Sequence, residues 1–147
     1  MDIKELAARE EIRELVASYN HFGDTGIMDS LLELFADDAA IHVADRTITG
    51  QAELRKFFSS VAGPDSGRPK IKSLQHHTSL LSIEVLDAKH ARGRCYFSVF
   101  TDLGLDHWGR YRDEYVFVDG VWKFSLRNAK VAGRQGTWGK TPDTKGD

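Results

Sequence analysis

Apolar positions at the start of the chain fall at helical spacing: Ile3, Leu6, Ile12, Leu15, Val16, Tyr19 and Phe22 share one stripe. Asp2 followed by Glu5 matches a capping box ahead of that stripe, and Gly23 suits a left-handed helix end, so the pattern predicts a first helix. A second helix is predicted over about residues 26 to 36, burying Ile27, Leu31, Leu34 and Phe35 and stopping at Asp37 and Asp38. "AIHVA" and "RTIT" then read as two short strands around Asp45. Gly50 precedes a third helix, "QAELRKFFSSVA", with Leu54, Phe57, Phe58 and Val61 on its apolar face. The run "GPDSGRPK", residues 63–70, has too much Gly and Pro for a regular element and reads as a loop.

From Ile71 the period changes to two. Residues 71–86, 91–103, 107–118 and 121–131 are rich in β-branched and aromatic types, separated by "DAKH", "GLD" and the "DG" pair at 119 and 120. That pair predicts a tight hairpin, because both turn positions of a type I′ turn need positive φ. Helices followed by a long antiparallel sheet make an α+β domain over residues 1–132, and strands curling round the helices leave a concave face that becomes a pocket. Residues 133–147, "GRQGTWGKTPDTKGD", are polar and Gly-rich and predict a loose tail, or one that covers a neighbour.

Alternation assigns the faces. Leu74, His76, Thr78 and Leu80 fall on one side of the first long strand, and His77, Leu81, Ile83 and Val85 on the other. His76 and His77 therefore point oppositely and do not form a joint metal site, so no metal is expected. His107, Gly109, Tyr111, Asp113 and Tyr115 share a face, as do Lys123, Ser125, Arg127, Ala129 and Val131. A face mixing His, Tyr and Arg with apolar neighbours looks more like a site than a plain core. Leu81, Ile83 and Val85, read as an outer apolar face, predict a homodimer or homotrimer.

Composition narrows the classes. A chain of 147 residues with formal charge -2 has the size and balance of one ordinary globular domain. Its basic residues are interspersed with acidic ones, which argues against nucleic acid. The single Cys95 has no internal disulfide partner, and neither a secretory leader pattern nor an apolar run near the ~20 residues of a membrane span is present, so a cytoplasmic address away from membranes is expected.

The order of a helix, "FGD", "LLELFADDA", a Gly before the third helix, a His on the first long strand and then "GRYRDEYVFVDGVWKFSLRN" resembles the SnoaL-like branch of the nuclear-transport-factor-like superfamily, over roughly residues 3 to 131. The resemblance implies a cone-shaped α+β barrel, with three helices in the concave face of a strongly curved, mainly antiparallel sheet. It is nearest the subgroup containing bile-acid 7α-dehydratase, scytalone dehydratase and hexachlorocyclohexane dehydrochlorinase. That subgroup implies an Asp24–His76 dyad with His76 as the base of an elimination, a pocket Arg127 and a pocket Tyr19. One departure is Leu80, where several relatives carry Asn four residues after the histidine. The substrate implied is small, hydrophobic and cyclic or aromatic, lined by Leu74, His107, Tyr111, Ala129 and Val131, and proton transfer of this kind needs no cofactor.

Each of these residues also has a plainer role. Asp24 is well placed to cap a helix starting near Gly26, and His76 can be a satisfied interior histidine. Tyr19 fits the stripe of the first helix, and Arg127 can pair with Asp113 across the hairpin. Three functions stay open: a cofactor-independent lyase, an isomerase or polyketide-type cyclase using the same base, and a non-catalytic binding or dimerisation domain.

Overall fold

The computed structural model describes residues 1–62 and 67–139. Its elements are α1 (Ile3–Thr25), α2 (Met28–Glu33), β1 (Phe35–Val43), β2 (Arg46–Thr49), α3 (Gln51–Ala62), β3 (Leu74–Val85), β4 (His90–Thr101), β5 (Gly104–Val118) and β6 (Val121–Arg134). The three helices pack on one six-stranded sheet of order β2-β1-β6-β5-β4-β3. Every pairing is antiparallel except that of β1 with β6, and the sheet is open, with β2 and β3 at its edges. The α+β class holds; the sheet is mixed and does not close into a barrel.

α1 begins as its capping pattern predicts, with Asp2 Oδ1 accepting from the Glu5 N–H at 2.8 Å. It ends three residues later than expected. Gly23 stays helical, and Gly26, at φ 71°, takes the left-handed position. Ile12, Leu15 and Val16 bury against Leu31, Phe35, Ile41, Leu54 and Phe124, whereas Ile3 and Leu6 are exposed. Along the other side of α1, Arg9 donates to the Ile83 carbonyl at 2.5 Å, tying the helix to β3.

α2 is shorter than its apolar pattern, and Ile27 is exposed rather than buried. Phe35 leaves the helix because it gains a strand partner: it pairs with Phe124 of β6, their rings stacked at 5.1 Å. Asp37 and Asp38 stop nothing; they stand exposed within β1, where its register with β6 shifts.

Two bulges change which side chains face inward. The β3–β4 register slips between Ser79 and Ser82, with Leu80 at φ 56° and 78% exposed. Leu74, His76 and Thr78 are half-buried, and beyond the bulge Leu81, Ile83 and Val85 join that inner face instead of the outer one. The expectation of an oligomer therefore loses the residues on which it stood, and Leu80 leaves the concave face. In β6 Ser125 is an extra residue between the pairs Tyr115↔Phe124 and Glu114↔Leu126. Trp122, Phe124 and Arg127 are consequently all buried, and Lys123 and Ser125 fall out of the Arg127 set. The β5 face behaves as expected, with Gly109, Tyr111, Asp113 and Tyr115 all buried.

The segment from Gly133 is not loose throughout. β6 continues to Arg134, and Trp138 is buried. Residues 140–147 of that tail, and 63–66 of the loop expected over 63–70, lie outside the described residues. Among the described residues no helix is long and apolar enough to cross a membrane.

Candidate active site

The last turn of α1 runs against the start of β3, an edge strand whose outward N–H groups have no strand partner. Asp24 fills that gap. Its Oδ2 accepts from the His76 backbone N–H at 2.8 Å, and its Oδ1 lies 2.5 Å from His76 Nδ1. Both side chains are mostly covered, at 15% and 22% exposed. An ionised Asp24 holds the ring proton on Nδ1, and among the described residues Nε2 makes no hydrogen bond, so its lone pair is available. The capping role is excluded: Asp24 lies inside α1, and α2 starts after Ile27 with no side-chain cap. One turn earlier, Asn20 Nδ2 reaches Thr78 Oγ1 at 3.4 Å, while its buried Oδ1 has no partner among the described residues.

Arg127 does pair across the hairpin. Asp113 binds it twice, at 2.9 Å through Nε and 3.0 Å through Nη2, and also accepts from the Tyr115 hydroxyl at 3.0 Å. Burial works against the Arg127 charge, but the Asp113 carboxylate overcomes it and holds the guanidinium above its usual range. Aromatic rings enclose it, with Tyr111 at 3.7 Å, Tyr19 at 4.3 Å and Phe124 at 4.6 Å from the guanidinium carbon. Only Nη1 is left over, buried and unpartnered among the described residues. Arg127 is thus first a strut, with one donor to spare for a ligand. Tyr19, half-buried in the same group, is pushed up by burial and stays a protonated hydroxyl at neutral pH.

His107 has a carboxylate of its own. Asp106 Oδ2 lies 2.8 Å from His107 Nδ1, leaving Nε2 free of hydrogen bonds among the described residues. Burial lowers the His107 pKa below its ordinary value despite Asp106, and the charge of His76 adds to that lowering, so the two imidazoles sense one another. Tyr111 stacks on Phe97 at 4.4 Å, and Leu74, Ala129 and Val131 pack half-buried around this aromatic group. Two cavities of about 350 and 420 Å³ lie apart from the dyad, one along β2 and α3 and the other between α2, α3 and Lys123. Both are lined largely by exposed polar side chains, and neither includes a group predicted for the site. Among the described residues no three His, Cys, Asp or Glu side chains gather as metal ligands.

A family model for the SnoaL-like domain matches residues 4–128. The chain belongs to the SnoaL-like family. Similar solved structures include a candidate scytalone dehydratase from Novosphingobium aromaticivorans, 20% identical over all of both chains with a TM-score of 0.82. A type 3 hexachlorocyclohexane dehydrochlorinase from Novosphingobium barchaimii is 22% identical, covering 99% of this chain and 100% of that one, with a TM-score of 0.77. A protein of nuclear-transport-factor-like type with a cystatin-like fold, from Novosphingobium aromaticivorans, is 24% identical over 88% of this chain and 85% of its own, with a TM-score of 0.74. At these identities the likeness shows the fold. The search of curated proteins found no match.

This SnoaL-like domain brings Asp24 to His76, and Tyr19 to Arg127 and Tyr111. It takes most of Arg127 away from any ligand and gives it to Asp113. Three groups near the site escaped sequence reasoning. Asn20 hid in the apolar stripe of α1, Asp106 in the "GLD" read as a turn, and Trp138 in the tail. A buried Trp in a polar, Gly-rich tail was the one available signal, since a large apolar ring is seldom left in solvent without a purpose.

Proposed function

We propose that this SnoaL-like chain is an enzyme of lyase type, removing water or another leaving group from a hydrophobic cyclic substrate with Asp24 and His76 as its base. The observation that carries this reading is the 2.5 Å contact of Asp24 with His76 Nδ1, which leaves Nε2 free in a mostly covered position. His76 Nε2 takes a proton from carbon next to a carbonyl or to the carbon bearing the leaving group, and the C–H electron pair becomes a carbon–carbon double bond as the bond to the leaving group breaks. A hydroxide leaving group collects a proton from the imidazolium or from Tyr19 and departs as water; a halide needs none. Asp24 stabilises the imidazolium in between. Arg127 braces Tyr19 and Tyr111, and its unpartnered Nη1 offers a contact for developing negative charge.

The names of two similar structures, a candidate dehydratase and a dehydrochlorinase, add weight to elimination over other proton transfers. An isomerase or cyclase starts with the same proton abstraction and differs in product. The test is a panel of cyclic β-hydroxyketones, chlorinated cyclohexanes and polyketide-like aromatics, followed by ultraviolet absorbance and mass spectrometry. Loss of water with a new double bond conjugated to the carbonyl, or of hydrogen halide with a new ring double bond, is the expected outcome. A rearranged product of unchanged mass makes the chain an isomerase or cyclase, and ligand binding without turnover makes it a binding domain.

A further inference from the structure

The tail residues 135–139 are held by contacts that the dyad does not use. The buried Asp106 carboxylate accepts from Trp138 N at 3.0 Å and Gly139 N at 2.7 Å, besides its contact with His107 Nδ1 at 2.8 Å. Its backbone carbonyl accepts from Gln135 N at 2.8 Å and Gly136 N at 2.9 Å. On the other side Arg68 Nη1 donates to the Trp138 carbonyl at 2.7 Å, with its guanidinium 4.9 Å from the indole, and Arg134 Nη1 donates to the Gly139 carbonyl at 2.6 Å. Both backbone polar groups of Trp138 are therefore pinned by charged partners. The glycines make this possible. A Cβ at Gly136 would fall inside the Asp106 carboxylate, and one at Gly139 would strike the His107 ring.

What this segment delivers is the Trp138 side chain. It is buried among Cys95, Phe97, Val99 and Tyr111, and the half-buried Leu74, Ala129 and Val131 pack against the same cluster. Tyr111, Leu74, Ala129 and Val131 are the apolar residues expected to line the substrate. We infer that residues 135–139 form a fixed wall of the substrate site, with Trp138 the side chain that limits how large a ligand the interior admits. This rests on the reading that ligand occupies the inner face shared by His76 and His107. Asp106 is then a positioning residue, holding the wall and the His107 ring with one carboxylate.

The experiment is calorimetric binding of two probes, 1-naphthol and progesterone, to the full chain and to its Trp138→Ala and Gly136→Ala variants. Gly136→Ala displaces the wall without altering the indole, and it carries the test should Trp138→Ala not fold. The expected result is a rise of tenfold or more in affinity for the steroid relative to the naphthol in each folded variant. A ratio within threefold of the parent overturns the inference, as does tighter naphthol binding alone, which marks Trp138 as a mere plug. Failure of both probes to bind any of the proteins overturns it as well. Binding does not require turnover. A His76→Gln variant that keeps its activity would therefore remove the base and leave the wall, whereas an unchanged ratio beside a dead His76→Gln would remove only the wall.

Discussion

Replacing Asp113 with Ala strips the only counter-charge among the described residues from a guanidinium that is 0% exposed. Two charge-assisted hydrogen bonds disappear at once, Nη1 is already without a partner among the described residues, and the Tyr115 hydroxyl loses its acceptor. Breaking a buried ion pair from one side costs about 3–5 kcal/mol, because the remaining charge stays desolvated. The stranded Tyr115 hydroxyl adds about 1 kcal/mol, not all of it additive. A loss near 4 kcal/mol lowers the melting temperature by on the order of 10 °C in a chain of this length. The assay is urea unfolding followed by far-ultraviolet circular dichroism, comparing midpoints at unchanged slope. Asp29→Ala is the control: its pair with Arg55 is 84% and 53% exposed, so its loss is below about 1 kcal/mol. The double variant Asp113→Leu with Arg127→Met regains most of the stability, since apolar residues of similar size replace a buried pair at little cost. An Asp113→Ala variant no less stable than Asp29→Ala would refute the view that this pair is a buried strut.

Asp24→Asn keeps the shape of the side chain but removes the charge that fixes the His76 tautomer. It lowers turnover by ~100-fold or more with a melting temperature within a few degrees, and full turnover would reduce Asp24 to an edge-strand cap. Burial depresses the His107 pKa, so this group contributes stability that is present above the ordinary histidine value and lost as pH falls through its folded value. Asp106, which its hydrogen bonds hold below the usual carboxylate range against burial, extends that loss to lower pH. The stability of His107→Gln should accordingly fall less than that of the parent between pH 7 and 5; parallel curves would contradict it. Leu80→Gly relieves a positive φ at a 78% exposed apolar residue and is neutral or stabilising by up to about 1 kcal/mol in the same urea assay; a clear loss would mean that Leu80 packs against something.

Local signals made much of this fold legible. The capping pair at Asp2 and Glu5, the apolar face of α3 and the turn at Asp119 and Gly120 are each set within a few residues of themselves. The hairpin turn also fixed the pairing of Asp113 to within one residue: counting outward from it gives Leu126, and the extra Ser125 shifts the partner to Arg127. What failed was set at a distance. Phe35 has helical spacing in its own neighbourhood but pairs with Phe124, and no local pattern reveals a parallel partner so far along the chain. The bulges at Leu80 and Ser125 break period two without any Gly or Pro to mark them, so Leu81, Ile83 and Val85 were assigned to the outer face, and Lys123 and Ser125 to the face of Arg127. At the site, Asp24 was ambiguous because a carboxylate at a helix end suits a cap and an imidazole equally well. Only the approach of β3 separates the two.

The most direct test of the dyad is the His76→Gln variant, measured for turnover and for ligand binding on the same substrate found by the panel. Gln keeps the bulk and a hydrogen bond to Asp24 but accepts no proton at working pH. The account predicts that turnover disappears while the dissociation constant stays within roughly tenfold, about 1.4 kcal/mol. Turnover retained in that variant would contradict it and move the base to another group, with His107 the first to examine.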